Sequence, residues 1–175
     1  MSEVGAGAQA LHLTPDQAAA RMHAELVEAG QALATGDLEA ALDCYVRGLG
    51  LALQLGPAAA EIALGAILAG AAELLRRGDG EELCALGPAV AGVVDQAREA
   101  GAVPLGGAMQ AWAGVAADVG ALLGQVGLAL CLPTERREGP WHQAQARAAL
   151  LDEATGGLFS LADLMGLAFG KGPAS

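Results

Sequence analysis

Asparagine is absent from this 175-residue chain, and lysine occurs once, at Lys171. Aromatic residues make up 3% of it, as Tyr45, Trp112, Trp141, Phe159 and Phe169. With β-branched and aromatic residues this sparse, no stretch reads as a strand, and none is expected. The lone lysine is followed by glycine and opens no helix, which excludes a phosphate-binding loop. No H-E-x-x-H spacing and no C-x-x-C occur, so no zinc pattern is legible. Cys44, Cys84 and Cys131 are odd in number and far apart in sequence, which argues against a disulfide framework. Cys44 and Cys131 lie in apolar runs and are expected to be buried free thiols. Basic residues are also short: 9 Lys+Arg stand against 20 Asp+Glu, a net charge of −11. That balance excludes a phosphate-backbone partner, disfavours anionic membranes and favours a basic peptide or protein face.

Charged residues are 17% of the chain, against about 25% in an average soluble domain. Either alanine coats the exposed helix faces, or part of the surface is covered by other subunits. The skew toward alanine, glycine and leucine fits GC-rich coding, so single residue choices carry little weight. The N-terminus has no basic start and no apolar stretch, so a signal or transit peptide is not expected.

What is present is helical periodicity. Residues 1–13 read as a flexible arm. Thr14-Pro15-Asp16-Gln17 is a capping box that opens a helix to about Ala34, ended by Thr35-Gly36. Its polar face is expected to hold Arg21, Glu25 and Glu28. Asp37 caps the next helix, whose Asp43 and Arg47 stand at (i, i+4) spacing. A third helix, about 58–77, is apolar nearly all round and should be central. A short helix from Glu81 to Leu86 is expected to break or kink at Gly87-Pro88, with another running to about Ala100. A loop over Gly101–Gly107 leads to a long helix over about 108–132, a loop over Pro133–Pro140, and a helix over about 141–154. A last short helix is capped by Ser160, with Asp163 at its third position. The division is 1–13 arm, 14–155 helical domain, and 156–175 docking helix and tail.

The most specific stretch is Gly36 to Leu53, G-D-L-E-A-A-L-D-C-Y-V-R-G-L-G-L-A-L. It resembles the second half of a tetratricopeptide repeat, in which a turn glycine precedes a helix carrying a small residue (here Ala41) and a large one (here Tyr45). Gly78-Asp79 stands where a second unit would turn, and Trp112-x-x-Val115-Ala116-x-x-Val119 is similar to the first-helix pattern of a third. Glu25 and Glu28 depart from the pattern, as do Gly87-Pro88 and the loop 133–140. Residues 15–77 also resemble a microtubule-interacting-and-trafficking three-helix module. The resemblance implies an all-α fold of antiparallel helix pairs, stacked as a right-handed solenoid or packed as an α-bundle. It implies a non-enzymatic adaptor or structural subunit of a larger assembly, and a cytoplasmic or cytosol-assembled location. The alternative is an all-α ligand-binding domain with an apolar pocket.

In the repeat register, first-helix positions would build the interaction face: Leu26, Leu33, Leu68, Leu75 and Gln110, together with His23, Arg76 and Ala113. Leu161, Leu164, Met165 and Phe169 form the apolar side of the final helix, which docks in cis or on a partner. A protein partner with an apolar or basic surface is expected. No catalytic, cofactor-binding or metal-ligating residue is assigned, and no cofactor is expected. The three histidines are scattered, and the adjacent acid pairs Glu81-Glu82 and Asp152-Glu153 diverge by about 100° on a helix. Asp118 reads as solvent-exposed on a narrow stripe with Gln110, Gly114, Ala121 and Gln125, or else as a buried functional acid. Val103–Leu132 has the length of a membrane span, with Gly120-x-x-x-Gly124 suited to close helix packing. Asp118 at its centre would cost about 2.5–3.5 kcal/mol there, and spanning is disfavoured.

Overall fold

The computed structural model describes residues 13–101 and 107–170. Among them lie seven α-helices and no strand, an all-α fold. In chain order these are α1 (Pro15–Thr35), α2 (Leu38–Leu55), α3 (Pro57–Arg76), α4 (Leu83–Glu99), α5 (Gly107–Cys131), α6 (Glu138–Thr155) and α7 (Leu161–Phe169). Single 3₁₀ turns precede α4 and α6, at Gly80–Glu82 and Thr134–Arg136. The arm 1–13, apart from Leu13, lies outside the described residues, as do most of the 101–107 loop and the tail beyond Gly170.

The local signals act as their chemistry requires. The Thr14 hydroxyl accepts from the Gln17 amide at 3.2 Å, and the Gln17 side chain accepts from the Thr14 amide at 3.0 Å. Asp37 caps α2 through the Ala40 amide. Between these helices Gly36 takes φ 84°, a left-handed conformation that glycine adopts without steric cost. Its amide and that of Asp37 close the turn on the carbonyls of Leu33 and Ala32.

Packing then departs from the repeat register in the middle of the chain. α1 and α2 form one hairpin. α3 packs against α2, α5 and α7, with smaller contact to α1, and hardly touches α4. The other tight pair is α4 with α5, and glycine is the reason. A methyl group on Gly87 would stand 2.6 Å from the Gly120 carbonyl oxygen and 2.7 Å from the Gly124 Cα, and one on Gly127 would stand 2.8 Å from the Leu83 carbonyl carbon. The two backbones therefore touch, in antiparallel order: Cys84 beside Gly127, Gly87 beside Gly124, Ala91 beside Gly120.

That clamp also explains why the expected break at Gly87-Pro88 does not occur. α4 runs continuously from Leu83 to Glu99 with Pro88 inside it. Proline there lacks the amide that would bond to the Cys84 carbonyl, a loss of about 3 kcal/mol in a free helix. Contacts to α5 on both sides of the proline hold the two halves together as one helix. α6 likewise starts earlier than its proline suggested, at Glu138, with Pro140 in its first turn. The C-terminus of α5 is closed by Arg137, which donates to the carbonyls of Leu130 and Leu132, both at 2.9 Å. The expected side-chain cap at Ser160 does not form. Its backbone takes a left-handed φ of 50° and its carbonyl, not its hydroxyl, meets the Asp163 amide.

The core is one cluster running through all seven helices, with Leu49, Leu64, Ile67, Leu83, Val90, Leu122, Leu123 and Leu161 fully enclosed. α3 is central, as its all-round apolarity implied: Ala60, Ala63, Leu64, Ile67 and Ala71 are each 0% exposed.

Candidate functional site: an apolar cleft with an acidic rim

Where α2 leaves the Gly36 turn, its inner face is not fully covered. Leu38, Ala41, Leu42 and Tyr45 from α2 meet Leu33 at the end of α1, Leu74 near the end of α3, and Ala85 and Leu86 in the first turns of α4. They wall a cleft of about 240 Å³. Leu33, Ala41, Tyr45, Leu74 and Leu86 form its buried floor, and Leu42 is half-buried. Among the described residues, the only charged ones at its walls are Glu39 and Glu82, both exposed at the rim. The cleft is thus greasy inside and negative at its mouth.

The helices around it are pinned by specific polar contacts. The Arg77 guanidinium, just past α3, donates to the Leu33 carbonyl at the end of α1 and pairs with Glu73 at 3.0 Å. Arg77 and then Arg76 hold the Glu73 carboxyl below its ordinary range. Tyr45 lies over Gly70 of α3 so closely that a methyl group there would stand 2.8 Å from the ring carbon bearing the hydroxyl. Its phenol is pushed up by burial, so it is neutral at physiological pH.

Arg47 was read as the partner of Asp43. It instead reaches across to α1, with its Nε 3.1 Å from both oxygens of Glu25 and its Nη2 donating to the Cys44 sulfur at 3.4 Å. Glu25 accordingly leaves the polar face assigned to it and is buried. Glu25, Glu28 and Cys44 bring their ligand atoms within 4.8 Å of one another. Arg47 already pairs with Glu25 and donates to the Cys44 sulfur, and burial, then the Glu25 contact, push the Cys44 thiol up toward its protonated form. The cluster is an ion pair that joins α1 to α2.

The nine residues assigned to an interaction face fall in different places. Leu26, Leu33, Leu68, Leu161, Leu164 and Met165 are buried in the chain's own core. Leu75, Gln110 and Phe169 are half-buried. Only Leu33 lines the cleft. The final helix docks in cis: α7 packs on α6 and α3, and Phe159 before it meets Trp112 of α5 edge-on, with ring centroids 6.2 Å apart. His23 is exposed and Ala113 fully enclosed, so the register face is not one continuous surface.

Asp118 is solvent-facing, 3.6 Å from Arg147 of α6, whose Nε also donates to Gln125 at 3.0 Å. Cys131, expected to be buried, is exposed at the end of α5. Both α3 and α5 are long and apolar enough to cross a membrane by length and composition, with mean hydropathies of 1.7 and 1.6. In each, 44% of that apolar window is buried in the helical core. Sequence reasoning named Leu33, Ala41 and Tyr45 but not the walls that α3 and α4 supply. Glu82 in the turn before α4, and Ala85 and Leu86 in α4, join it from a segment whose pairing no local pattern disclosed. No family model, no curated protein and no solved structure matches this chain.

Proposed function

We propose that this chain is a non-enzymatic protein-interaction module, working in the cytoplasm or in a cytosol-assembled structure. Its tetratricopeptide-like α1/α2 unit supplies most of the docking cleft. The observation that supports this most is the cleft itself, an apolar floor under two carboxylates, in a chain of net charge −11. Such a site suits an apolar side chain presented by a partner helix with lysine or arginine one turn away. The size of this cleft suits a side chain better than a small ligand. At about 240 Å³ it falls below the roughly 300–1,000 Å³ of ordinary small-molecule sites, and it fits one or two large side chains. Among the described residues the cleft walls hold no basic side chain, which disfavours acidic peptides of the kind some tetratricopeptide domains hold.

The test is selection of binders from a displayed library of helical peptides against the full-length protein. Enriched sequences should combine a leucine-like or aromatic anchor with a nearby basic residue. Binding should fall at least tenfold in Leu42→Asp and in the double variant Glu39→Lys, Glu82→Lys. Enriched peptides that bind these variants as tightly as the parent would overturn the reading.

A further inference from the structure

Two thiols that the sequence keeps 47 positions apart face each other in the fold. The Cys84 and Cys131 sulfurs are 3.7 Å apart. We propose that they are a reversible disulfide site, oxidised by a low-molecular-weight disulfide such as glutathione disulfide. The α4/α5 hairpin sets the geometry. Gly127 brings the α5 backbone against Cys84, where a methyl group would stand 3.0 Å from its sulfur, and Cys131 follows one turn later on the same face. The sulfurs have to approach by about 1.7 Å to reach the roughly 2.05 Å of a disulfide. The hairpin holds both residues in register while they do so.

Exposure sets the order of events. Cys131 is exposed and Cys84 half-buried. Burial, the Cys131 contact and then the acids Glu81 and Glu82 push the Cys84 thiol up, which makes it the slower nucleophile. The Cys131 thiolate attacks one sulfur of the small disulfide, whose S–S bond breaks and releases one small thiolate. The Cys84 thiolate then attacks the Cys131 sulfur of the mixed disulfide and releases the second. The two protons lost by the protein thiols end on the two small thiols. Two protein thiols are oxidised by two electrons, and one small disulfide is reduced to two thiols. Cys44 takes no part, being buried beneath Arg47 on another hairpin. The new bond would fix the first turn of α4, the turn that carries Ala85 and Leu86 into the cleft wall. The site stands whatever occupies that cleft.

The experiment treats the full-length protein with excess glutathione disulfide, quenches it in acid, and follows intact mass and alkylatable thiols. The expected product is a monomer lighter by two hydrogens, with no glutathione retained, a Cys84–Cys131 cross-linked peptide, and a melting temperature above that of the reduced form. Dithiothreitol should reverse all of it. Cys84→Ser should stop at a glutathione adduct on Cys131, and Cys131→Ser should remain unoxidised under native conditions. If either variant fails to fold, the wild-type mass and peptide map decide alone. A wild-type protein that halts at the Cys131 adduct, or that dimerises through Cys131, overturns the proposal.

Discussion

The hairpins α1/α2 and α4/α5 are both antiparallel pairs, yet they are held together differently. In α1/α2 side chains fill the gap. Gly48 faces Leu26, Tyr45 reaches beyond the pair to α3, and the Arg47–Glu25 bridge closes one edge. In α4/α5 there is little side chain between the helices, because Gly87, Gly120 and Gly127 let backbone meet backbone. A side-chain interface can yield, since Leu26 is able to rotate. A backbone interface cannot move aside without moving a helix. The first pair should therefore be sensitive to what is removed from it, and the second to what is added.

The largest expected effect tests the first half of that contrast. Tyr45→Ala empties the space over Gly70 and should destabilise by about 3–5 kcal/mol, measured by denaturant unfolding. A value under about 1 kcal/mol would mean that α3 collapses onto α2 and that the pair is not side-chain-limited. Next comes addition of a single methyl group to the second pair. Gly87→Ala should cost about 2–3 kcal/mol, even after the roughly 1 kcal/mol that alanine gains over glycine in a helix. Gly48→Ala meets the Leu26 side chain, Cδ2 at 2.8 Å and Cγ at 3.2 Å, rather than backbone, and should be near neutral. Gly92→Ala, with nothing within 4 Å, should stabilise by up to about 1 kcal/mol. If Gly87→Ala and Gly48→Ala cost the same, the contrast between the pairs fails.

A smaller effect belongs to the Arg47–Glu25 bridge. Arg47 is 52% exposed and the Glu25 side chain 11%, so Arg47→Leu should cost about 1–2 kcal/mol, between the surface and buried limits. Adding Glu25→Leu should recover most of it, because no carboxylate is then left unpaired. The smallest effect is at Glu73. Its carboxyl is lowered from an ordinary 4.5 by Arg77 and Arg76. A lowered acid contributes stability above its ordinary value and loses it as pH falls through the folded one. The difference in melting temperature between wild type and Glu73→Gln should therefore be small but constant above pH 4.5, and should fade as pH falls from there through the lowered folded value.

Both hairpins are built from segments whose helical character was legible, but only one hairpin was legible as a pair. Gly36, Asp37, Ala41 and Tyr45 lie close together in the chain, and their spacing alone specified turn, cap and packing face. Gly87 and Gly127 are far apart; Gly120-x-x-x-Gly124 marked a face suited to close packing, but not which helix would meet it. The same limit applies to the polar partners. Asp43 was the local choice for Arg47, but Glu25 across the hairpin offers a more enclosed carboxylate, where less solvent screens the charges.

By itself, then, the sequence determined helix content, most helix starts and ends, the centrality of α3 and the acidic balance that shapes any partner. These follow from local hydrogen bonding, periodicity and counted charge, none of which needs the rest of the chain. Tertiary structure alone decided that α4 pairs with α5 and runs through Pro88, that α7 folds back onto α3 and α6, that Leu161, Leu164 and Met165 face inward, and that Cys84 meets Cys131. Each of these depends on which two surfaces come together. That choice is a competition over the whole core, decided by how closely backbones can approach and how much apolar area each arrangement removes from water.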